Sequence, residues 1–247
     1  MSKILVVTPV YNAEKYIQKC IDSVKMQSFD NYIHFIIDDC STDSTLKKIA
    51  ESSLLSNNIV FSRHVLGKKG TLYNHIKAVS HPDINDNDII VHLDGDDWFT
   101  DENVLQDIWD TYERTNCLAT YGNYVCSDPN VPSVCKSIED SCGDFRQQIL
   151  HGWCFSQVRT FRKFLWDRID KEDFKDSQGN LFSCAADVAI FVPILEMAGK
   201  DRVEFIERPL MVYNIENPIG DSKINLQDQA RCAIEVARKP RYERYGQ

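Results

Sequence analysis

The chain has 247 residues, 43% hydrophobic and 26% charged, enough for one large domain or two small ones with a substantial core, which excludes a disordered chain. A formal net charge of −9 excludes nucleic acid as the main partner, and an anionic substrate would need its charge screened at the site. No apolar run reaches the roughly 18 residues of a spanning helix, and the opening MSKILVVTPV lacks the length and flanks of a signal peptide. The expected location is therefore the cytoplasm, with peripheral membrane contact left open.

In chain order, residues 3–8 (KILVVT) form a β-branched apolar run, a buried strand that Pro9 ends. A helix follows from about Asn12 to Gln27, with Ile17, Ile21 and Val24 on one face. Residues 32–37 (YIHFII) are the next strand, ending at Asp38-Asp39, and Thr42 or Asp43 caps a helix to about Ser52. A short strand at 58–61 and a loop with Gly67, Lys68, Lys69 and Gly70 lead to a helix over 71–79. A fourth strand at 88–93 and a helix over 102–115 complete a β-α-β-α-β-α-β-α alternation. That rhythm predicts an α/β fold, a Rossmann-like, mostly parallel sheet with helices on both faces.

The rhythm breaks after Ala119. Strands are expected at 118–126 and 131–137, with Pro129 and Pro132 in the turn between them, and again at 153–161. A short helix at 162–168, a polar loop at 169–181 and a helix over 184–198, kinked or restarted at Pro193, come next. Residues 203–213 are extended, 225–238 an amphipathic helix, and 239–247 a loose tail. No repeat or linker divides the chain. One unit is expected over 1–247, with a nucleotide half at 1–127 and a smaller, mixed acceptor half at 128–247. The nine cysteines, scattered from Cys20 to Cys232 without a CxxC pair, fit neither a zinc site nor a disulfide framework, so reduced, mostly buried thiols are expected.

The chemistry gathers at the carboxyl ends of the strands, where open α/β sheets place their ligands. In VHLDGDDWF (91–99), Asp94, Asp96 and Asp97 arrive within four residues of a strand end, around Gly95, which allows a sharp turn. Carboxylates so spaced can converge on one hard divalent cation, although a lone acidic loop is more often simply solvated. Tyr11 either stacks on a flat ring or packs on its own helix. Asp38 and Asp39 either accept from an imide N–H such as that of uracil or serve as helix-start charges. Lys68 and Lys69 add positive charge or are merely solvated.

TPVYN, DDCSTDST and LDGDD, in that order and each at a strand end, resemble family 2 of the glycosyltransferases, whose fold is GT-A. The resemblance covers about residues 3–127 and, more weakly, Ala185-Ala186-Asp187, where Ala186 stands in place of the family's usual Glu. It implies a nucleotide-sugar donor, most often a uridine diphosphate sugar, and transfer to a hydroxyl-bearing acceptor such as a glycan, with inversion by single displacement. It also implies Mn²⁺ or Mg²⁺ on Asp96 and Asp94, nucleotide contacts at Pro9, Tyr11, Asp39, Lys69 and Asp94, and Asp187 as general base. WCFSQVRTFRK (153–163) resembles the strand entering the acceptor side, with Trp153, Arg159 and Arg162 as acceptor or phosphate contacts; surface charge is the plainer reading of the arginines.

Two departures matter. Some members carry a downstream histidine near the metal, whereas here NIENPIGDS follows Tyr213, leaving Asn214 or Asn217 to substitute, or no such ligand. The QxxRW motif is missing too, which points to transfer of single sugars rather than processive synthesis. Competing readings are an inactive nucleotide-sugar-binding module and a sugar nucleotidyltransferase. TPVYNAEKY lacks the Gly and Arg that the nucleotidyltransferase would need to hold a triphosphate. A phosphoacceptor domain would place its acidic pair after the first strand, not the second.

Overall fold

The computed structural model describes residues 2–138 and 144–246. Its elements run β1 (Ile4–Val10), α1 (Ile17–Lys25), β2 (Tyr32–Asp38), α2 (Thr45–Ser53), β3 (Ile59–Arg63), α3 (Thr71–Val79), β4 (Ile89–His92), β5 (Trp98–Phe99) and α4 (Val104–Thr115). They continue with β6 (Ala119–Cys126), α5 (Phe145–His151), β7 (Arg159–Arg162), α6 (Lys163–Asp167), α7 (Ala186–Ala198), β8 (Val203–Tyr213), α8 (Asp221–Ile224) and α9 (Leu226–Arg238). The strands form a single eight-stranded sheet in the order β3-β2-β1-β4-β7-β6-β8-β5. The first four pair in parallel, β7 runs antiparallel to both β4 and β6, β6 and β8 are parallel, and β5 is antiparallel to β8.

β1 is buried at every position, so its alternating side chains feed two cores. Ile4 and Val6 join Ile17, Ile21 and Val24 of α1 and Leu105 and Ile108 of α4 on one face. Leu5 and Val7 join Leu72 and Val79 of α3 and most of α7 on the other. Each such buried aliphatic or aromatic side chain contributes on the order of 1.5–3 kcal/mol. α7 is apolar all round, as a helix enclosed on every side must be, and it runs unbroken through Pro193. No helix among the described residues is long and apolar enough to cross a membrane.

Several expectations are corrected. Pro9 does not end β1, which runs through it to Val10 with Pro9 opposite Ile37; the proline lacks an N–H, but its carbonyl still accepts from Gly95 N–H at 3.2 Å. Residues 131–137 form no strand: β6 already has β7 on one side and β8 on the other, leaving no edge for a hairpin partner. Tyrosine hydroxyls of β6 hold that segment instead; Tyr121 donates to the Lys136 carbonyl at 2.7 Å, and Val134 N–H donates to Tyr124 Oη at 3.3 Å. The strand expected over 153–161 is confined to Arg159–Arg162. α1 starts at Ile17, because Asn12 adopts a left-handed φ of 46° and residues 12–16 turn first. β6 and β8 slip register on either side of Asn123, opposite Pro209, which has no N–H for the ladder. The described cysteines are free, and all but Cys40 and Cys135 are buried.

The tail is not loose. Arg146, on α5, grips Glu196 of α7 with two bonds, Nε to Oε1 at 2.7 Å and Nη2 to Oε2 at 2.8 Å. It also donates to the carbonyls of Val236, Lys239 and Pro240, drawing the end of α9 onto the core. Tyr242 donates to Asp173 at 2.7 Å, and Tyr245 N–H donates to the Met197 carbonyl at 2.8 Å. The Arg146 and Glu196 side chains are 5% and 8% exposed, so removing one strands the other's charge in the core. Arg146→Ala is expected to lower unfolding stability by roughly 3–5 kcal/mol in urea titration. An unchanged midpoint would show that the tail is held without this pair.

Candidate active site

One cavity of about 630 Å³ opens at the carboxyl ends of β1, β2 and β4. Pro9, Tyr11, Asp39, Asp94, Asp96, Trp153, Arg159 and Asp187 all line it, bringing residues from both halves of the sequence together. The first two loops are laced to each other. Asn12 N–H donates to Ser41 Oγ at 2.9 Å, Ala13 N–H to Thr45 Oγ1 at 2.9 Å, and Thr42 N–H to Asn12 Oδ1 at 2.8 Å.

Asp39 is buried at the end of β2, and both its oxygens are engaged: Lys69 N–H donates to Oδ1 at 2.7 Å and Gly70 N–H to Oδ2 at 2.9 Å. The loop before α3 thus closes over the carboxylate through its backbone; the Lys69 side chain is not part of the cavity wall, while Lys68 is. Lys68 Nζ lies 4.3 Å from the centre of the Tyr11 ring. Asp38 is fully buried beneath, 3.4 Å from Arg63 Nε.

The acidic turn divides by depth. Asp94 and Asp96 face the cavity, and Asn217 Nδ2 donates to Asp96 Oδ2 at 2.6 Å, whereas Gln157 Nε2 donates to Asp94 Oδ2 at 3.3 Å. Asp97 is 1% exposed and accepts from Asn214 N–H at 2.8 Å. Burial first, then the charges of Asp96 and Asp94, push its carboxyl well above the usual range. Gly95 is required by contact rather than by dihedral: a Cβ there would lie 2.6 Å from Val10 Cβ, because Gly95 N–H donates to the Pro9 carbonyl at 3.2 Å.

Asp187 stands in the first turn of α7, after Ala185 in a left-handed conformation with φ of 54°. Arg159 Nη1 donates to its Oδ2 at 3.3 Å, and the Asp187 side chain remains 36% exposed. Arg162 is not brought to the site. It donates to the Asn87 carbonyl at 2.7 Å and lies over the Tyr112 ring, because residues an odd number of positions apart face opposite sides of the sheet at β7.

The cavity also contains residues that sequence reasoning did not single out. His75 of α3, His92 of β4 and Gln157 line its wall, and Lys223, Leu226 and Ala230 of α8 and α9 border it. His92 reads as one more position of a buried strand, and His75 lies on the buried face of a short helix, so pattern alone distinguishes neither. Among the described residues no group of three or more His, Cys, Asp or Glu is arranged to hold a metal ion.

Comparison with known proteins identifies the family and the fold. The pattern defining "Glycosyl transferase family 2" fits residues 5–180. The chain is 26% identical to "Glycosyltransferase GlyG" of Streptococcus pneumoniae over 125 residues, 50% of this chain and 40% of that one. It is 29% identical to the "Poly(ribitol-phosphate) beta-glucosyltransferase" of Bacillus spizizenii over 116 residues, 46% of this chain and 18% of the relative. The matches thus span less than half the length of these relatives. Among solved structures, Staphylococcus aureus TarS 1–349 in complex with UDP superposes with a TM-score of 0.66 at 19% identity, covering 86% of this chain and 60% of that one. The mannosyltransferase PcManGT of Pyrobaculum calidifontis, in complex with GDP-Man and Mn²⁺, gives 0.61 at 15% identity, covering 95% and 62%. The α/β architecture is that of the GT-A fold, and with 5–180 matched the chain belongs to glycosyl transferase family 2.

Proposed function

We propose that the protein transfers one sugar from a nucleotide diphosphate sugar, a uridine diphosphate sugar, to an acceptor hydroxyl with inversion. The observation that carries this reading is the convergence of Asp39, the Asp94 and Asp96 pair, and Asp187 on one cavity, from separated stretches of sequence. TarS structures hold UDP and UDP-GlcNAc, which supports the uridine donor here. Asp39 keeps lone pairs beyond those used by Lys69 and Gly70, so it can still accept from an imide N–H.

In this reading Asp187 takes the proton of the acceptor hydroxyl as its oxygen bonds to the anomeric carbon. The bond from that carbon to the diphosphate breaks on the opposite face, and the electron pair leaves with the nucleoside diphosphate. Arg159 orients the base through its 3.3 Å bond and leaves the carboxylate reachable from the cavity. The acidic turn fits a divalent cation, since Asp94 and Asp96 are hard oxygen donors that line the same cavity. Mn²⁺ or Mg²⁺ held by Asp96 and Asp94 would supply charge neutralisation for the departing diphosphate. Asn217 positions Asp96 for that role.

Three outcomes are expected. Asp96→Asn should abolish the metal dependence of donor binding and most turnover while leaving the melting temperature near that of the parent; full activity in excess chelator would overturn the metal reading. Asp187→Asn should lower turnover by roughly 10²-fold or more with donor affinity nearly unchanged, because a base acts in the transition state. Near-normal turnover, or a product whose NMR spectrum shows a retained anomeric configuration, would remove both the base and the mechanism. Calorimetric titration with nucleoside diphosphates should rank UDP above GDP and ADP, and tighter GDP binding would replace the uridine assignment. Donor binding without transfer by the parent chain would instead favour a binding module.

A further inference from the structure

The cavity floor carries buried polar atoms with no hydrogen-bond partner among the described residues: His75 Nε2, His92 Nε2, Trp153 Nε1, Gln157 Oε1 and Arg159 Nε. All five side chains line the cavity, and His75, His92, Gln157 and Arg159 are each more than nine-tenths buried. Native proteins rarely leave buried polar groups unpaired, and a cluster facing a cavity marks a place where a ligand completes them. None of these atoms is used by the base or by the acidic turn.

The chemical kind of four of these atoms can be assigned. His75 Nδ1 lies 2.9 Å from the Thr71 carbonyl, which only accepts, so Nδ1 carries the proton and Nε2 presents a lone pair. Burial lowers the His75 pKa to about 4, so the ring is neutral at pH 7. The ring packs against His92 with centroids 4.1 Å apart, which fixes its plane. Gln157 Oε1 also accepts, while Trp153 Nε1 and Arg159 Nε donate. A phosphate, which only accepts, would leave His75 and Gln157 unmatched. Hydroxyl groups both donate and accept, and a ring bearing several of them matches these four. The floor begins at His92, two residues before Asp94, and so adjoins the carboxylates assigned to the diphosphate.

We propose that His75 is a specificity-determining residue that accepts a hydrogen bond from a hydroxyl of the transferred sugar, with Trp153 Nε1 donating on the same floor. This rests on the nucleotide-sugar reading above.

The test compares calorimetric affinities for UDP, UDP-glucose and UDP-N-acetylglucosamine, with Mn²⁺, in the parent chain and in His75→Ala, His75→Gln and Trp153→Phe. The ratio of UDP-sugar to UDP affinity, for the sugar the parent prefers, is expected to fall about tenfold in His75→Ala, while UDP affinity alone stays within about twofold. His75→Gln, which returns an acceptor oxygen, should recover part of the ratio. Trp153→Phe removes the indole N–H while keeping an aromatic ring and should lower the ratio in the same direction. Retained UDP binding reports an intact fold, and if His75→Ala fails to bind UDP, Trp153→Phe decides. A parent chain that binds UDP, with sugar-to-UDP ratios unchanged in the variants, would overturn the role of this floor. A parent chain that binds no UDP would instead overturn the donor reading on which it rests.

Discussion

The site depends on the register of β1 between β2 and β4. Val10 pairs with Asp38 on one side and Val7 with His92 on the other, so the two acidic loops leave the sheet at the same edge. Hydrogen bonds extend both pairings past the strand ends: Asp39 N–H donates to the Val10 carbonyl at 2.8 Å, and Leu93 N–H to the Val7 carbonyl at 3.1 Å. A slip of one residue would exchange the two faces of β1 and separate these loops. The close approach of Gly95 to Val10 belongs to the same constraint, since it seats the acidic turn against the end of β1.

The parallel half of the fold was legible because its signals are local. Short β-branched runs lead into Pro9, Asp38-Asp39 and Asp94-Gly95, and each run became a strand whose end borders the cavity, although β1 carries on through Pro9 to Val10. Past Ala119 the deciding facts are non-local. Residues 131–137 carry strand-like composition but meet a strand whose two edges are already occupied. Trp98–Phe99 is too short to announce itself, and becomes β5 only because β8 passes beside it. The tail reads as loose because its anchor, the Arg146–Glu196 pair, joins residues 50 apart in sequence.

The same division holds within the site. The carboxylates were legible by spacing, because three acids in four residues after an apolar strand form an unusual pattern. Arg159 and Arg162 read alike in sequence, and only the pairing of β7 with β4 and β6 separates the one that reaches Asp187 from the one that does not. His75 and His92 carried no signal, since a lone histidine on an apolar face is ordinarily a satisfied core residue. Their meaning comes from what they fail to bond.

The two ends of the cavity therefore differ in how they are prepared. At the end of the cavity bordered by β1 and β2, Asp39 is held by two backbone N–H groups and the loops bearing Tyr11 and Ser41 are tied together, so the walls are set in advance. Such preorganisation would limit the entropy lost on binding the base proposed above. At the floor the arrangement is reversed: the side chains present donors and acceptors to be matched by a ligand. A fold selected for stability alone would fill that floor with apolar side chains, as it does on the opposite face of β1 with Ile4, Val6 and Ile17. Polar groups so placed favour a ligand whose own groups match their pattern. Selectivity in this site thus follows from the pattern of donors and acceptors on its floor.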